Sequence, residues 1–286
     1  MQKNKRDQKE MTFMQVGDFV SDFGGNELEH TDDLTGRTLD IDFDTGWTVR
    51  YRFMPDRRLE WRMLAGSGFD QKAAKQGLES YRATCLREGY FLVDFISSHQ
   101  PVQTMSLLVD LIQNIATMVE ATMPTREETL KPLFQRVLDK ELLTPVRATI
   151  AHGALDCRFG EDTPIHEPTE DLIGKRVRYQ YGKKDAYEHI YLSSRLYTWN
   201  CIQGPEAGLA DTDYCRYYRV ADDFYLFVWL EKIIPTVGLV LIDFQQKKTS
   251  GKIFGYQDGD FGATCNTPVG ANLSIQNQTR YDHVGN

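Results

Sequence analysis

One phrase occurs twice in this chain, and that repetition limits the possible folds more than any other feature. Residues 32–37 read DDLTGR and residues 170–175 read EDLIGK. Strand-like sequence of the same layout follows each copy. Two later pairs keep the spacing: GYFLVDFI (89–96) answers FYLFVWLE (224–231), and SLLVDL (106–111) answers GLVLID (238–243). The copies stay about 135 residues apart. Solenoid periods are only ~20–50 residues, so this spacing marks a duplicated domain. A chain of 286 residues holds two domains of that size, each with its own core.

Within each copy the hydrophobic period is two. Leu39, Ile41 and Phe43 alternate with Asp40, Asp42 and Asp44, and Trp47, Val49, Tyr51 and Phe53 alternate with Thr48, Arg50 and Arg52. Further strands are expected at 59–64, 81–87, 89–97, 104–111, 114–121 and 144–155. The second copy reads as strands near 175–181, 186–192, 195–201, 213–219, 224–232, 237–244 and 249–256. Its tail from Asp258 reads as loop with one late strand near 271–276. Residues 70–80 lose the alternation and read as a short helix or ordered loop. Thr125-Arg126-Glu127-Glu128 fits a capping box ahead of a helical segment near 126–143, interrupted at Pro132. Residues 1–31 read as a polar arm in which Phe13, Val16, Phe19, Val20 and Phe23 can pack as a helix or strap. The fold class expected is all-β: tandem duplicated lipocalin-like (calycin) antiparallel barrels with a short helical connector, since closure removes exposed sheet edges. The first domain is placed at 1–156 and the second at 168–286, with a Pro- and acid-rich linker between. A pair of open sandwiches is the alternative.

Composition narrows the function classes. The net charge is −8, unlike a nucleic-acid binder, whose affinity comes mostly from neutralising phosphates. No apolar run approaches a membrane span, and the N-terminus lacks the apolar core of a signal peptide. Five cysteines with no CxxC pair read as free thiols, so the cytoplasm is the expected compartment. No metal site is expected: His152, Cys157 and His166 lack tight ligand spacing, and Asp211, Asp213, Asp222 and Asp223 read as turn acids. Without GxGxxG, GxxxxGK[ST] or GxSxG, no dinucleotide, P-loop or α/β-hydrolase site is supported, and no cofactor is expected.

Comparing the copies locates the candidate site. In the second, Tyr179 and Tyr181 align with Ile41 and Phe43 of the first. On a later strand Tyr225, Phe227, Trp229 and Glu231 share a face, and align with Tyr90, Leu92, Asp94 and Ile96. If those faces point inward, the second barrel holds phenols, an indole and a carboxylate where the first holds mostly hydrocarbon. Aromatic walls should raise the Glu231 pKa, which suits a general acid or base, and two phenols can orient a substrate or an oxyanion. His189 lies on a face with Tyr187 and Tyr191. Tyr197, Trp199 and Cys201 share another, with Cys201 read as a small buried hydrophobe. The competing reading is a ladder of aromatic cross-strand pairs that stabilise a sheet without a ligand.

The set LTGRTLDIDFDTGW…RRLEWRMLAG and EDLIGKRVRYQY…YEHIYL…YTW…GLADTDYC…DDFYLFVWLEK…GKIFGY resembles the family named molybdenum cofactor biosynthesis protein F (MoaF). The resemblance covers most of the chain. It implies two lipocalin-like domains in tandem and an association with molybdenum cofactor metabolism. Each half is more distantly similar to the bacterial phenolic acid decarboxylases, whose site uses two tyrosines, an arginine and a glutamate. That similarity carries the tyrosines to Tyr179 and Tyr181 and the glutamate to Glu231. The arginine's place in the second half falls on or near Trp199. In the first half it falls on Arg62, within RLEWRMLAG, where the other members are replaced.

The expected function is a small-molecule-binding double barrel. Its second copy would act as a cofactor-independent lyase or isomerase, with Glu231, Tyr179 and Tyr181 as catalytic groups. Trp229, Phe227, Tyr225, Trp199, Tyr197, His189 and Tyr187 would form the ligand walls. The alternative is a non-catalytic carrier or sensor of a hydrophobic or pterin-like metabolite; a scaffold with both barrels filled is the third possibility. The expected partner is a small organic molecule, with neither nucleic acid nor membrane. Outward residues such as Leu226, Val228 and Leu230 are expected to pack the two copies against each other, a homodimer being the other use for them.

Overall fold

A computed structural model describes residues 12–20, 25–66 and 74–280. The first copy forms β1 (Thr38–Phe43), β2 (Thr48–Met54), β3 (Arg58–Ala65), β4 (Gln76–Arg87), β5 (Tyr90–Ile96), β6 (Gln103–Asp110), β7 (Ile115–Thr122) and β8 (Arg147–Leu155). The second forms β9 (Lys175–Gln180), β10 (Ala186–Tyr191), β11 (Leu196–Gln203), β12 (Ala210–Ala221), β13 (Phe224–Glu231), β14 (Thr236–Asp243), β15 (Lys248–Tyr256) and β16 (Thr264–Gln278). Each set is an antiparallel meander whose last strand pairs with its first, giving two closed eight-stranded barrels. At about eight strands a barrel has room for side chains or one small ligand.

The duplicated phrase has the same structural role in both copies. Leu34 and Leu172 are fully buried. Gly36 and Gly174 follow with φ of 85° and 83°, the left-handed region that glycine adopts without a Cβ clash. Their amides donate to Phe53 O and Tyr191 O, each at 2.8 Å. The phrase is thus a turn that tucks a leucine into the barrel and ties itself to the end of the second strand.

Alternation decides which residues meet. Inward side chains fill two lumens, one around Ile41, Phe53 and Leu107 and one around Tyr179, Tyr191 and Phe227. Outward apolar residues form a third core between the barrels. Leu226, Val228 and Leu230 pack there with Leu239 and Leu241 against Leu92, Leu108 and Val119 of the first copy. The two copies therefore cover each other's outer faces, each fully buried Leu or Val contributing about 1.5–3 kcal/mol. Exposed large apolar residues gather instead on the connector, helices α1 (Arg126–Leu130) and α2 (Leu133–Leu138), at Leu130, Phe134, Val137 and Leu138. The capping box is present: Glu128 N donates to Thr125 Oγ1 at 3.2 Å and Thr125 N to Glu128 Oε2 at 2.7 Å.

Several expectations are corrected. The tail is not mainly loop: β16 runs for 15 residues and closes the second barrel against β9 and β15. Residues 76–80 belong to β4, while 67–73 lie outside the described residues, as do Phe23 and the Val20 side chain. His166, set aside above as a metal ligand, has a structural role. It is buried in the linker, its Nδ1 2.8 Å from Thr117 Oγ1 and its Nε2 3.4 Å from Asp110 Oδ2, and it pins the linker to the first barrel. The alignment of β13 was one residue out. Phe91, Val93 and Phe95 are the inward residues of β5, so Trp229 matches Phe95 and Glu231 matches Ser97. Tyr90 and Leu92 face the other barrel.

A buried ion pair, Lys252 with Asp94, crosses the seam. Lys252 Nζ bonds Asp94 Oδ1 and Thr104 Oγ1, and Asp94 also accepts from Ser106 Oγ at 2.9 Å and from Asn266 Nδ2. Lys252→Ala leaves Asp94 buried without its cation and should lower the unfolding free energy by about 3–5 kcal/mol. Joint replacement by Lys252→Met and Asp94→Leu should recover most of that loss. Urea unfolding at pH 7 measures both.

Candidate functional site

The second lumen is lined by aromatic residues because β-rich sequence puts its Tyr, Phe and Trp at alternate, inward positions. Tyr187, His189 and Tyr191 of β10 face Tyr197 and Trp199 of β11, with Phe227 and Trp229 of β13 opposite. His189 sits at the middle of this set. Its ring centroid is 4.5 Å from that of Tyr179, 5.2 Å from Tyr197 and 6.0 Å from Trp229. It is buried, and among the described residues its Nδ1 has no hydrogen-bond partner. Desolvation pushes its pKa down to about 3, so the ring is neutral.

Glu231 stands at the open end of β13. The residue is half-buried, and its Oε1 accepts from Trp229 Nε1 at 2.8 Å. Burial of the carboxyl pushes its pKa well above the ordinary carboxylate range; Asp213 adds in the same direction, and the Trp229 bond opposes both. Asp213 is buried and accepts from Trp199 Nε1 at 3.0 Å, with Lys232 Nζ at 3.3 Å. A third acid, Glu206, accepts from Tyr187 Oη at 2.8 Å, and burial raises its pKa too.

These groups surround a cavity of about 40 Å³, room for about one water. Its walls include Tyr181, Tyr187, His189, Tyr197, Trp199, Trp229 and Glu231. Three expected site residues do not reach it. Tyr179 is buried one layer down, its hydroxyl 2.5 Å from that of Tyr191. Phe227 lies under the cavity, stacked on Trp229 at 5.1 Å. Tyr225 is inward but at the far end, donating to Asp171 Oδ2 at 3.2 Å. Arg62 is exposed on the outer face of β3; the lumen position matching Trp199 is Trp61. Trp61 donates to Glu79 Oε1 at 3.1 Å much as Trp199 donates to Asp213.

Sequence reasoning missed Glu206, Asp213 and the lid. Residues 12–20, with a 3-10 helix over Val16–Val20, cross the mouth of this barrel. Phe13 meets Trp199 edge-on at 6.1 Å, Met14 N donates to Glu206 Oε1 at 2.9 Å, and Phe13, Met14 and Phe19 complete the cavity wall. Gly17 N donates to Gln257 O at 3.1 Å, and Val16 nestles on Gly255. The only signal was apolar spacing in an otherwise polar arm.

Fold and site together define a tandem double-barrel protein whose second lumen is a strapped, aromatic-lined pocket, with a carboxyl whose pKa burial raises and an imidazole whose pKa burial lowers. Residues 11–125 match the MoaF N-terminal domain and residues 166–279 the MoaF C-terminal domain. Protein MoaF of Klebsiella aerogenes is 45% identical over 204 residues, 70% of this chain and 75% of that protein. The chain belongs to the MoaF family. A solved chain from Burkholderia vietnamiensis, provisionally named a beta-lactamase, is 17% identical with a TM-score of 0.31, over 36% of this chain and 94% of that one. That likeness is too slight to bear on fold or chemistry. Among the described residues no helix is long and apolar enough to cross a membrane.

Two titrations should shape stability. Folded His189 stays neutral down to about pH 3, while unfolded it gains a proton near 6.5, so its burial costs stability increasingly as pH falls below about 6.5. Folded Glu231 keeps its proton above 4.5, where the unfolded residue loses it, so its burial costs stability as pH rises from there toward its raised pKa. Urea unfolding across pH should show Glu231→Gln flattening the alkaline limb and His189→Gln the acid limb, each by at most about 1.4 kcal/mol per pH unit. Gly17→Val puts a Cβ about 2.3 Å from Gln257 O and should undock the strap. Hydrogen exchange at residues 12–20 should then quicken; unchanged protection would mean the strap tolerates the clash.

Proposed function

We propose that this protein handles a small aromatic or conjugated molecule and moves a proton on it in the second barrel, a lyase or isomerase reaction that draws on the chain's own acid and base. Family membership supports a role linked to molybdenum cofactor biosynthesis. The observation that carries the reading is the pairing of Glu231, its pKa raised by burial, with His189, its pKa lowered by burial and its Nδ1 unpartnered among the described residues, on one water-sized cavity. Environments that set two titrating groups apart in this way assign an acid and a base.

The roles follow from position. Glu231 donates the proton, steadied by Trp229 Nε1. His189 accepts one through its open Nδ1. Tyr181 and Tyr197 offer their phenols from the wall. Tyr179 acts from behind, its ring against His189 and its hydroxyl held by Tyr191. The strap excludes water, which strengthens each of these interactions. The substrate takes the volume of Phe13 and Met14, so the strap lifts for entry.

The same walls without turnover would make a carrier of a hydrophobic or pterin-like metabolite, a reading favoured by the aromatic lining of the second lumen. One experiment separates the two. Native mass spectrometry of freshly purified protein should show a bound mass of a few hundred daltons that is lost on Trp229→Ala with Glu231→Gln. The extracted compound is then returned to the enzyme. Glu231→Gln should lower its turnover by about 10²–10⁴-fold while the protein stays folded. Binding without product in either form would favour the carrier; turnover unaffected by Glu231→Gln would remove Glu231 from the mechanism.

A further inference from the structure

The first barrel encloses the larger space. At the lumen end that Glu231 occupies in the second barrel, the first holds a cavity of about 590 Å³, within the range of ligand pockets. Register explains the difference. Val49 stands where the second barrel has Tyr187, Phe95 where it has Trp229, and Ser97 where it has Glu231. Smaller side chains at matched positions leave the first lumen open where the second is filled.

The aromatic and thioether part of the wall is Tyr51, Trp61, Phe95, Met63, Met105 and Met118, and Ser97, His99 and Gln100 stand beside it. Thioethers adapt to irregular flat ligands. One carboxylate faces this space. Glu120 of β7 takes the register position of Ile253 in the second barrel, so the first barrel put a charge where its copy kept hydrocarbon. Gln103 Nε2 donates to Glu120 Oε1 at 2.6 Å, which turns the Gln103 amide oxygen away as an acceptor. Among the described residues neither that oxygen nor Glu120 Oε2 takes a further hydrogen bond. Burial pushes the Glu120 pKa up and the Gln103 bond opposes it, as expected of a carboxyl short of donors.

The Glu120 carboxylate and the Gln103 amide bonded to it, both on the wall of this space, select its ligand. An anion would be repelled by Glu120. A plain hydrocarbon would bury the carboxylate with too few donors, at a desolvation cost. A flat ring with two N–H groups on one edge satisfies both acceptors and fills the walls. We propose that the first barrel is a separate binding site for a planar heteroaromatic molecule carrying an amino or amidine-type edge, its N–H groups on Glu120 and Gln103 and its ring among Tyr51, Trp61 and Phe95. The chain then has two pockets of different chemistry, one per copy.

Titration calorimetry of the full chain tests this with 2-aminobenzimidazole and 2-aminoquinoline, beside benzimidazole and quinoline as ring controls. At least one amine should bind saturably with one site. Its affinity should fall about tenfold or more for the matching ring control and for Glu120→Gln, the scale of a charged hydrogen bond. Met63→Trp, which fills the cavity, should abolish binding, and Glu231→Gln should leave it unchanged. Circular dichroism checks the folding of each variant, and Glu120→Gln and Met63→Trp report independently should one misfold. Three results would overturn the site: no saturable binding by either amine, affinity indifferent to both first-barrel variants, or binding lost with Glu231→Gln.

Discussion

Closure of each sheet on itself is the constraint from which the rest follows. When β8 bonds back to β1, and β16 to β9, no strand keeps a free edge, and every side chain must face a lumen or the outside. Closure leaves a problem on the outside, because β13 and β14 are apolar on both faces. The duplication solves it. The outer face of one barrel covers that of the other, and the seam becomes a third core. The buried Lys252–Asp94 pair and Arg87, which reaches Asp243 at 2.8 Å, lie on that seam.

Two lumens built on one register then diverged by side-chain volume. The second gained bulk, as Trp229 lies over Gly238 so closely that a Cβ there would come within 1.9 Å of the indole. It also gained a strap from the N-terminal arm, with Val16 seated on Gly255. The outcome is a water-sized space in which burial pushes the pKa of an acid up and that of an imidazole down. The first lumen kept smaller residues and the larger cavity, with one carboxylate on its wall. Equivalence of register thus does not carry equivalence of chemistry.

Much of this was legible from alternation alone. The sixteen strands and the inward placement of Tyr181, Tyr187, His189, Tyr197, Trp199 and Glu231 follow from a period of two, and the capping box from Thr125 and Glu128 three residues apart. The failures share a cause. Matching FYLFVWLE to GYFLVDFI by eye slipped β5 by one residue, and in a strand one residue turns every side chain to the other face. The family resemblance was out by one residue as well, carrying the arginine to Arg62 where Trp61 is the lumen residue. Tyr225 and Tyr179 were put on the right face but at the wrong height, because alternation carries no information about depth along the barrel axis.

The sequence by itself determined the duplication, the antiparallel meander and the inward faces, since repeats and period-two patterns are local properties of the chain. Only the tertiary structure decided which inward residues share a cavity, that Glu206 and Asp213 join Glu231, and that residues 12–20 cover the second mouth rather than the first. Those are distances between segments far apart in the chain: Met14 and Glu206 are separated by 192 positions and meet at 2.9 Å. The charge states of Glu231 and His189 were decided there as well, because desolvation depends on what surrounds a group and not on its neighbours in sequence.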